Sequence, residues 1–381
     1  MKNVLMIGWE LPPFNSGGLG VACFCLAQAL TKKVNLYFAL PKKVPLQDTP
    51  FPVIFADEAT KILSGYNGAA SDILVEVENY GPRLWQAIKK AKLKFDLIHA
   101  HDWLCAKAAI FLKKKLHLSA ILHIHATEIE RTGGCPNPTI YRIEQETFTQ
   151  ADSLITVSDL TAQIVTDYYK ITPQKITAIP NGIDLKQDQV KDPIYFRQLK
   201  AKGYKLVLFV GRLVLQKGPD YFLQTLPQVK KFFKVKYIIV GSGEMFEQLV
   251  KTAKELQVLQ DLIFTGFLRD KELWSIYQAA DLLVAPSVFD PFGLVPLEGI
   301  KYKTPVIISK TTGLGSYLTH ILKCDFWDTH KLAELIISLL KYPAAYRELS
   351  QNSYQELPKF NWGERAERVM KVYDKISSYS H

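Results

Sequence analysis

Long apolar runs are missing from this chain. No stretch approaches the roughly 18 consecutive apolar residues of a membrane-spanning helix, so no span is expected. The opening run Met1-Lys-Asn-Val-Leu-Met-Ile-Gly8 is too short for a secretory leader and meets Trp9, Glu10 and two prolines, so it reads as a first strand. Cysteine is scarce, with five residues scattered along the sequence. Cys23 and Cys25 stand two apart on an expected helix, point in different directions, and suit neither a disulfide nor a metal pair. All five are expected to be reduced, mostly packing residues of a cytoplasmic protein. Internal repeats and low-complexity tracts are absent. So are the spacing of a dinucleotide fingerprint and the Lys-Ser/Thr of a P-loop.

What is present is the composition of a globular protein: 381 residues, 48% hydrophobic and 22% charged. That length exceeds one ordinary core, so two domains are the default. The net charge of +10 is uneven, with 20 basic against 18 acidic residues in 1–190 and 27 against 19 in 191–381. A basic second half suits an anionic ligand such as a nucleotide, and equally nucleic acid or an anionic surface. No compact nucleic-acid recognition motif accompanies it, and no basic amphipathic anchor appears.

Apolar runs at 5–7, 96–100, 120–125, 153–157 and 175–179 alternate with segments of helical spacing, and a second such series begins at 205. Its runs lie at 205–211, 236–241, 262–266, 282–285 and 305–309. Strands alternating with helices argue for parallel sheets covered on both faces. Pro180-Asn-Gly-Ile-Asp184 and the polar stretch to about Lys202 break the alternation. The chain therefore reads as domains 1–185 and 186–357, followed by an amphipathic helix, 358–381, expected to cross back to the N-domain. No motif is evident in 41–95.

Polar residues cluster after successive strands, where open α/β sheets bind ligands. Pro12 to Gly20 is a glycine loop before a helix, a weak phosphate signal on its own. His99, His101, His123 and His125 alternate along two strands, which places each pair on one face. The stretch Ala285-Pro-Ser-Val-Phe-Asp-Pro-Phe-Gly-Leu-Val-Pro-Leu-Glu298 is a strand-to-helix turn bracketed by two carboxylates, Asp290 and Glu298. It suits either a ligand loop or a surface turn whose acids cap the helix.

Taken in order, these motifs resemble the retaining nucleotide-sugar glycosyltransferases of the glycogen/starch synthase type (family 4, GT-B fold). The carriers are Gly17-Gly-Leu-Gly20, His125-Ala-Thr-Glu128 with Arg131, and Pro180-Asn-Gly-Ile-Asp184. They continue with Val210-Gly-Arg-Leu213 plus Lys217-Gly218, Gly241-Ser-Gly-Glu244, and the acid pair around Pro291-Phe-Gly-Leu294. The resemblance implies two Rossmann-like, doubly wound α/β domains facing across a cleft. It also implies transfer of a hexosyl group, glucosyl above all, from a UDP- or ADP-sugar to a carbohydrate acceptor with retention. By the family pattern, Arg212 and Lys217 stabilise the departing diphosphate. Gly17, Gly18, Leu19, Gly20, Gly211, Gly293 and Leu294 line the donor, with backbone N–H groups at Gly18-Leu19 and Gly293-Leu294 cradling phosphate. Glu298 holds the ribose, Asp290 accepts from sugar hydroxyls, and His125 orients a hydroxyl beside the donor sugar. No metal and no cofactor is implied; the nucleotide sugar is a substrate. Nucleic acid is not an expected partner.

Two departures stand out. Asp290 is one methylene shorter than the usual Glu, and Ser316 stands near a position where many relatives place a Glu. They keep open a non-catalytic nucleotide-sugar-binding relative. A sugar-nucleotide epimerase of the same fold is the other alternative. A phosphorylase would need a pyridoxal-binding lysine in a much larger chain.

Overall fold

The computed structural model describes residues 1–15, 17–46, 48–58 and 70–377. The chain packs as two units: Met1–Gly182 with Phe360–His381, and Ile183–Lys359.

The first unit is built on seven strands: β1 Asn3–Ile7, β2 Asn35–Leu40, β3 Val53–Phe55, β4 Leu97–His101, β5 Ser119–Ile124, β6 Ser153–Thr156 and β7 Ile176–Ala178. They are all parallel, in the order β3-β2-β1-β4-β5-β6-β7. The inner strands are apolar along nearly their whole length because helices cover both faces. Val4, Leu5, Met6, Ile7, Ile98, Ile121 and Leu154 are fully buried. Strand order reverses between β1 and β4, so the carboxyl ends of those two strands form the crevice of this sheet.

The stretch 41–95, where no motif is evident in the sequence, holds β3 and the helix Ala70–Ala91. Pro82 lies inside that helix, and Asn79-Tyr-Gly-Pro-Arg83 reads locally as a turn. Packing prevails over local preference here. Val77, Tyr80, Leu84 and Ile88 recur at helical spacing and are buried, and the Tyr80 hydroxyl donates to the Gly8 carbonyl at 2.9 Å.

The second unit carries six parallel strands: β8 Lys205–Val210, β9 Val235–Val240, β10 Leu262–Gly266, β11 Leu282–Ala285, β12 Val306–Ser309 and β13 Leu322–Cys324. Their order is β10-β9-β8-β11-β12-β13, so the reversal falls between β8 and β11. Its core gathers Val207, Phe209, Phe222, Tyr237, Leu282 and Ile336.

The terminal helix Trp362–Ser377 completes the first unit, burying Ala366, Val369, Tyr373 and Ile376 among Val4, Met6, Leu26 and Ile179. Gly182 lies against it: a Cβ there would stand 2.5 Å from the Trp362 ring. The glycine of Pro180-Asn-Gly is therefore where a side chain would push the terminal helix away.

Candidate active site

In the second unit, the loops at the strand reversal are those after β8 and β11. The first holds Gly211, Arg212 and Lys217; the second runs through Asp290 to Gly293. They are built against each other. Phe289 N–H donates to the Gln216 carbonyl at 3.5 Å, and a Cβ on Gly218 would fall 2.2 Å from the Pro286 oxygen. Gly218 also has a φ of +66°, so glycine is required there twice over. The result is a contact that spacing alone did not suggest: Lys217 Nζ lies 2.8 Å from Asp290 Oδ2. Lys217 and Asp290 are both part-buried, whereas Arg212 is exposed.

A third loop anchors the second. Asp290 N–H donates to the Thr311 carbonyl at 3.2 Å, Gly313 N–H to the Asp290 carbonyl at 2.9 Å, and Leu314 N–H to the Phe292 carbonyl at 2.6 Å. Ser316 closes this third loop as an exposed residue. Gly241 explains part of the Gly-Ser-Gly motif. With φ at +136° and its would-be Cβ 1.9 Å from the Gly211 oxygen, it lets β9 turn directly under Gly211. Leu213 N–H donates to the Ser242 carbonyl at 2.9 Å, and Met245 N–H to the Leu213 carbonyl at 3.0 Å. The motif shapes the cationic loop from behind.

Gly293, at φ +104°, caps the helix Leu294–Lys301 without a side-chain acceptor. The amides of its first turn therefore have no side-chain cap, the arrangement that suits an anion. Glu298 lies on the same helix and accepts from the Tyr277 hydroxyl at 2.7 Å. Burial pushes the Glu298 carboxyl upward, opposed by the Tyr277 hydroxyl and the Lys301 ammonium. Tyr277 is fully buried, and its backbone carbonyl accepts from Thr304 Oγ1 at 2.6 Å. Sequence reasoning missed Tyr277. Its signal was a tyrosine at a buried position of the helix Asp270–Ala279, where the hydroxyl needs a partner.

In the first unit, Gly18–Leu30 is one helix with Gly17 at its N-cap and no side-chain cap. The expectation of a loop through Gly20 needs correction: Gly18, Leu19 and Gly20 form the first helical turn. Gly20 is buried, and a Cβ there would meet Asn15 Cβ at 2.7 Å and Glu10 Cγ at 3.2 Å. Gly17 and Gly18 are exposed.

His125 follows β5 and is half-buried. Its backbone N–H and that of Ala126 donate to Asp102 Oδ1 at 2.7 and 3.2 Å. Asp102 begins the helix after β4 with φ at +58°, a conformation aspartate tolerates better than most residues. Sequence reasoning missed this residue too, although it stands directly after a strand-end histidine. The next turn is fixed by a capping box between Thr127 and Glu130. Arg131 is occupied holding it: Nη1 donates to the Ala126 carbonyl at 2.6 Å, Nε to Glu128 Oε2 at 3.1 Å, and Nη2 pairs with buried Glu144.

All four strand histidines share one face. His101 pairs in register with His123, and the rings stack at centroid spacings of 4.7 Å (His99–His101), 5.2 Å (His101–His123) and 4.6 Å (His123–His125). His99 Nδ1 meets the Tyr373 hydroxyl at 2.6 Å, and His101 Nδ1 meets His125 Nε2 at 3.0 Å. Burial lowers the pKa of each ring, that of His99 to about 3, so all four are neutral at ordinary pH.

The structure thus joins Lys217 to Asp290 in one constellation with Gly211 and Gly293 in the adjoining loops, and it places Glu298 on the helix that Gly293 opens. Gly17 to Gly20 and His125 belong to the other unit. Among the described residues, no helix is long and apolar enough to cross a membrane.

Comparison with known proteins agrees with this architecture. Residues 16–187 match the family described as Glycosyltransferase Family 4, and residues 190–356 match glycosyl transferases group 1. The glycogen synthase of Mycobacterium tuberculosis is 29% identical over 394 residues, covering 97% of this chain and 94% of its own. The sucrose-phosphate synthase from Thermosynechococcus elongatus superposes with a TM-score of 0.80 at 22% identity, over 100% of both chains. Anabaena HepE in complex with UDP and glucose gives 0.77 at 17% identity, over 98% of this chain and 100% of its own.

Proposed function

This chain belongs to the GT-B glycosyltransferases of the glycogen/starch synthase type, and we propose that it moves a glucosyl group from a UDP- or ADP-sugar to a carbohydrate acceptor with retention. The observation that carries this reading is the Lys217–Asp290 pair. It sits at the strand reversal of the second sheet, beside a helix start that has no side-chain cap. A similar protein, HepE, was solved with UDP and glucose.

The chemistry asks for positive charge where the leaving diphosphate accumulates negative charge. Lys217 and Arg212 supply fixed cations from one loop, and the amides after Gly293 supply the partial charge of a helix start. The amides after Gly17 have the same character. Glu298, positioned by Tyr277, offers two acceptors to a pair of ribose hydroxyls. Asp290 accepts from sugar hydroxyls, and His125 orients another. Retention follows a front-side course in which the leaving phosphate takes the acceptor's proton, so neither carboxylate serves as nucleophile. Protein cations take the part of a metal, and turnover is expected to persist in EDTA.

The test is a donor screen read by nucleotide release, with acceptor added and withheld, followed by anomeric analysis of the product. UDP or ADP release that depends on acceptor, reduced by about 10²–10³-fold in Lys217→Ala, is the expected result. An undiminished variant, or no release from any common donor, refutes the reading. Epimerised sugar formed without acceptor would point to an epimerase instead.

A further inference from the structure

Beside the stacked histidines lies a thiol that the reaction above does not use. Cys23, from the helix Gly18–Leu30, is buried against the face that carries them. One donor atom each from Cys23, His101 and His125 lie within 4.8 Å of one another. The nearest nitrogens of the two rings, His101 Nδ1 and His125 Nε2, are already 3.0 Å apart and share a single hydrogen. Two imidazole nitrogens on one zinc ion, each at about 2.0–2.1 Å in tetrahedral geometry, stand about 3.3–3.4 Å apart. Only a few tenths of an ångström separate the two arrangements.

We propose that Cys23, His101 and His125 form a three-ligand site for a borderline-soft divalent ion of the zinc class. Thiolate and imidazole select such an ion over Mg2+, Ca2+ or Mn2+, which prefer oxygen. Several features fit this use. The ring that carries the shared hydrogen shifts it to its other nitrogen, and the Cys23 thiol releases its proton, so one proton leaves for each ion bound. His101 Nε2 is buried and has no hydrogen-bond partner, so a change of tautomer breaks no existing bond there. Asp102, which accepts from the backbone N–H groups of His125 and Ala126, fixes the position of the His125 ligand from behind. His125 is half-buried, which gives an ion a way in, and three protein ligands leave a fourth position for water. A second trio, His99, His101 and His123, is also close enough, but all three residues are buried and it lacks a thiol.

One consequence rests on the proposed transferase reading. An ion on His125 occupies the ring that orients the sugar hydroxyl, so zinc inhibits transfer reversibly.

The experiment titrates metal-free full-length chain with ZnCl2 in competition with a chromophoric chelator, and in parallel with CoCl2 read by absorbance. About one equivalent of zinc is expected, and cobalt is expected to give a thiolate charge-transfer band that zinc abolishes. Cys23→Ser should lose the band and weaken zinc binding by at least about tenfold, whereas Cys135→Ser, at an exposed cysteine, should change neither. Circular dichroism establishes that both variants are folded. If Cys23→Ser does not fold, protection of the Cys23 thiol by zinc from alkylation in denaturant-pulsed wild type decides the matter. Absence of stoichiometric zinc, a band that survives in folded Cys23→Ser, or unprotected Cys23 overturns the site. Nucleotide release is measured separately: zinc should inhibit the wild type more than Cys23→Ser. A chain that binds zinc but turns over no donor would refute the transferase reading and leave the metal site standing.

Discussion

Tyr277→Phe removes a single oxygen, yet it withdraws the hydroxyl that donates to Glu298 at 2.7 Å. The ring stays, so its parallel contact with Tyr302, at 6.2 Å between centroids, survives, and so does the Thr304 bond to the residue 277 carbonyl. What changes is the solvation of a part-buried carboxylate. A hydrogen bond to a charged group contributes about 1.5–3 kcal/mol, so the second unit should lose about that much where Glu298 is ionised. For a unit of this size each kcal/mol moves Tm by about 2–4 °C. The sign with pH follows from the raised folded-state pKa. Such a carboxyl costs the fold progressively more as pH rises from its unfolded value through its folded one. Tyr277 limits that cost, so the gap between variant and wild type should widen as pH rises and close as Glu298 protonates. Urea unfolding at a series of pH values measures it, and a cycle with Glu298→Gln should return a coupling of about 0.5–3 kcal/mol. A gap that is flat with pH, or absent coupling, would show that Glu298 does not depend on this hydroxyl. If Glu298 also grips the ribose, the variant should bind nucleotide more weakly while keeping its response to Lys217→Ala.

Substitutions at three other positions probe the scaffold. Gly241→Ala places a methyl 1.9 Å from the Gly211 oxygen at φ +136°. It should destabilise the second unit by at least about 1–3 kcal/mol in urea unfolding and reduce nucleotide affinity by displacing the cationic loop. Tyr373→Ala opens the core under the terminal helix and should cost the first unit about 3–5 kcal/mol. Tyr373→Phe, which loses only the hydroxyl 2.6 Å from His99 Nδ1, should cost about 0.5–1.5 kcal/mol. Burial pushes the Glu130 carboxyl up to about 7, against bonds from Thr161 and Thr127 and the charge of Arg131. Glu130's own contribution to the stability of the first unit should therefore fall as pH rises between its ordinary value of 4.5 and about 7, by at most about 3 kcal/mol. Glu130→Gln should remove that share of the pH dependence, leaving the like share of Glu144, which burial also pushes up to about 7, and the opposing effect of the buried histidines.

Strand–helix alternation was legible because every inner strand is buried on both faces and so writes a continuous apolar run. The outer part of the first sheet was not. Helix Ala70–Ala91 carries Gly81 and Pro82 at its middle, and only the recurrence Val77, Tyr80, Leu84, Ile88 argues against a turn. Gly81 is small enough to let that helix approach Ala108, a reason that exists only in three dimensions. The site residues were legible as types and spacings, through the resemblance they carry. Their pairings were not, since Lys217 and Asp290 are 73 positions apart and Tyr277 and Glu298 belong to different helices.

The Lys217–Asp290 contact also alters what the shorter carboxylate means. On sequence alone, Asp290 in place of Glu is a possible loss of reach toward the sugar. In the structure its Oδ2 already meets the ammonium at 2.8 Å, while Oδ1 accepts from the Phe292 N–H at 3.3 Å. The side chain is therefore tied both to the cationic loop and to its own. A part-buried pair of this kind discounts its Coulomb energy for solvent screening, so a diphosphate bearing more charge than one carboxylate can take a share of the ammonium. On the proposed reading, Asp290 keeps Lys217 extended toward the donor before the donor arrives. Asp290→Asn and Asp290→Glu then separate the two roles. A loss of nucleotide affinity in Asn that Glu restores assigns Asp290 to positioning the lysine. Unchanged nucleotide affinity with a changed preference among donor sugars assigns it to the sugar alone.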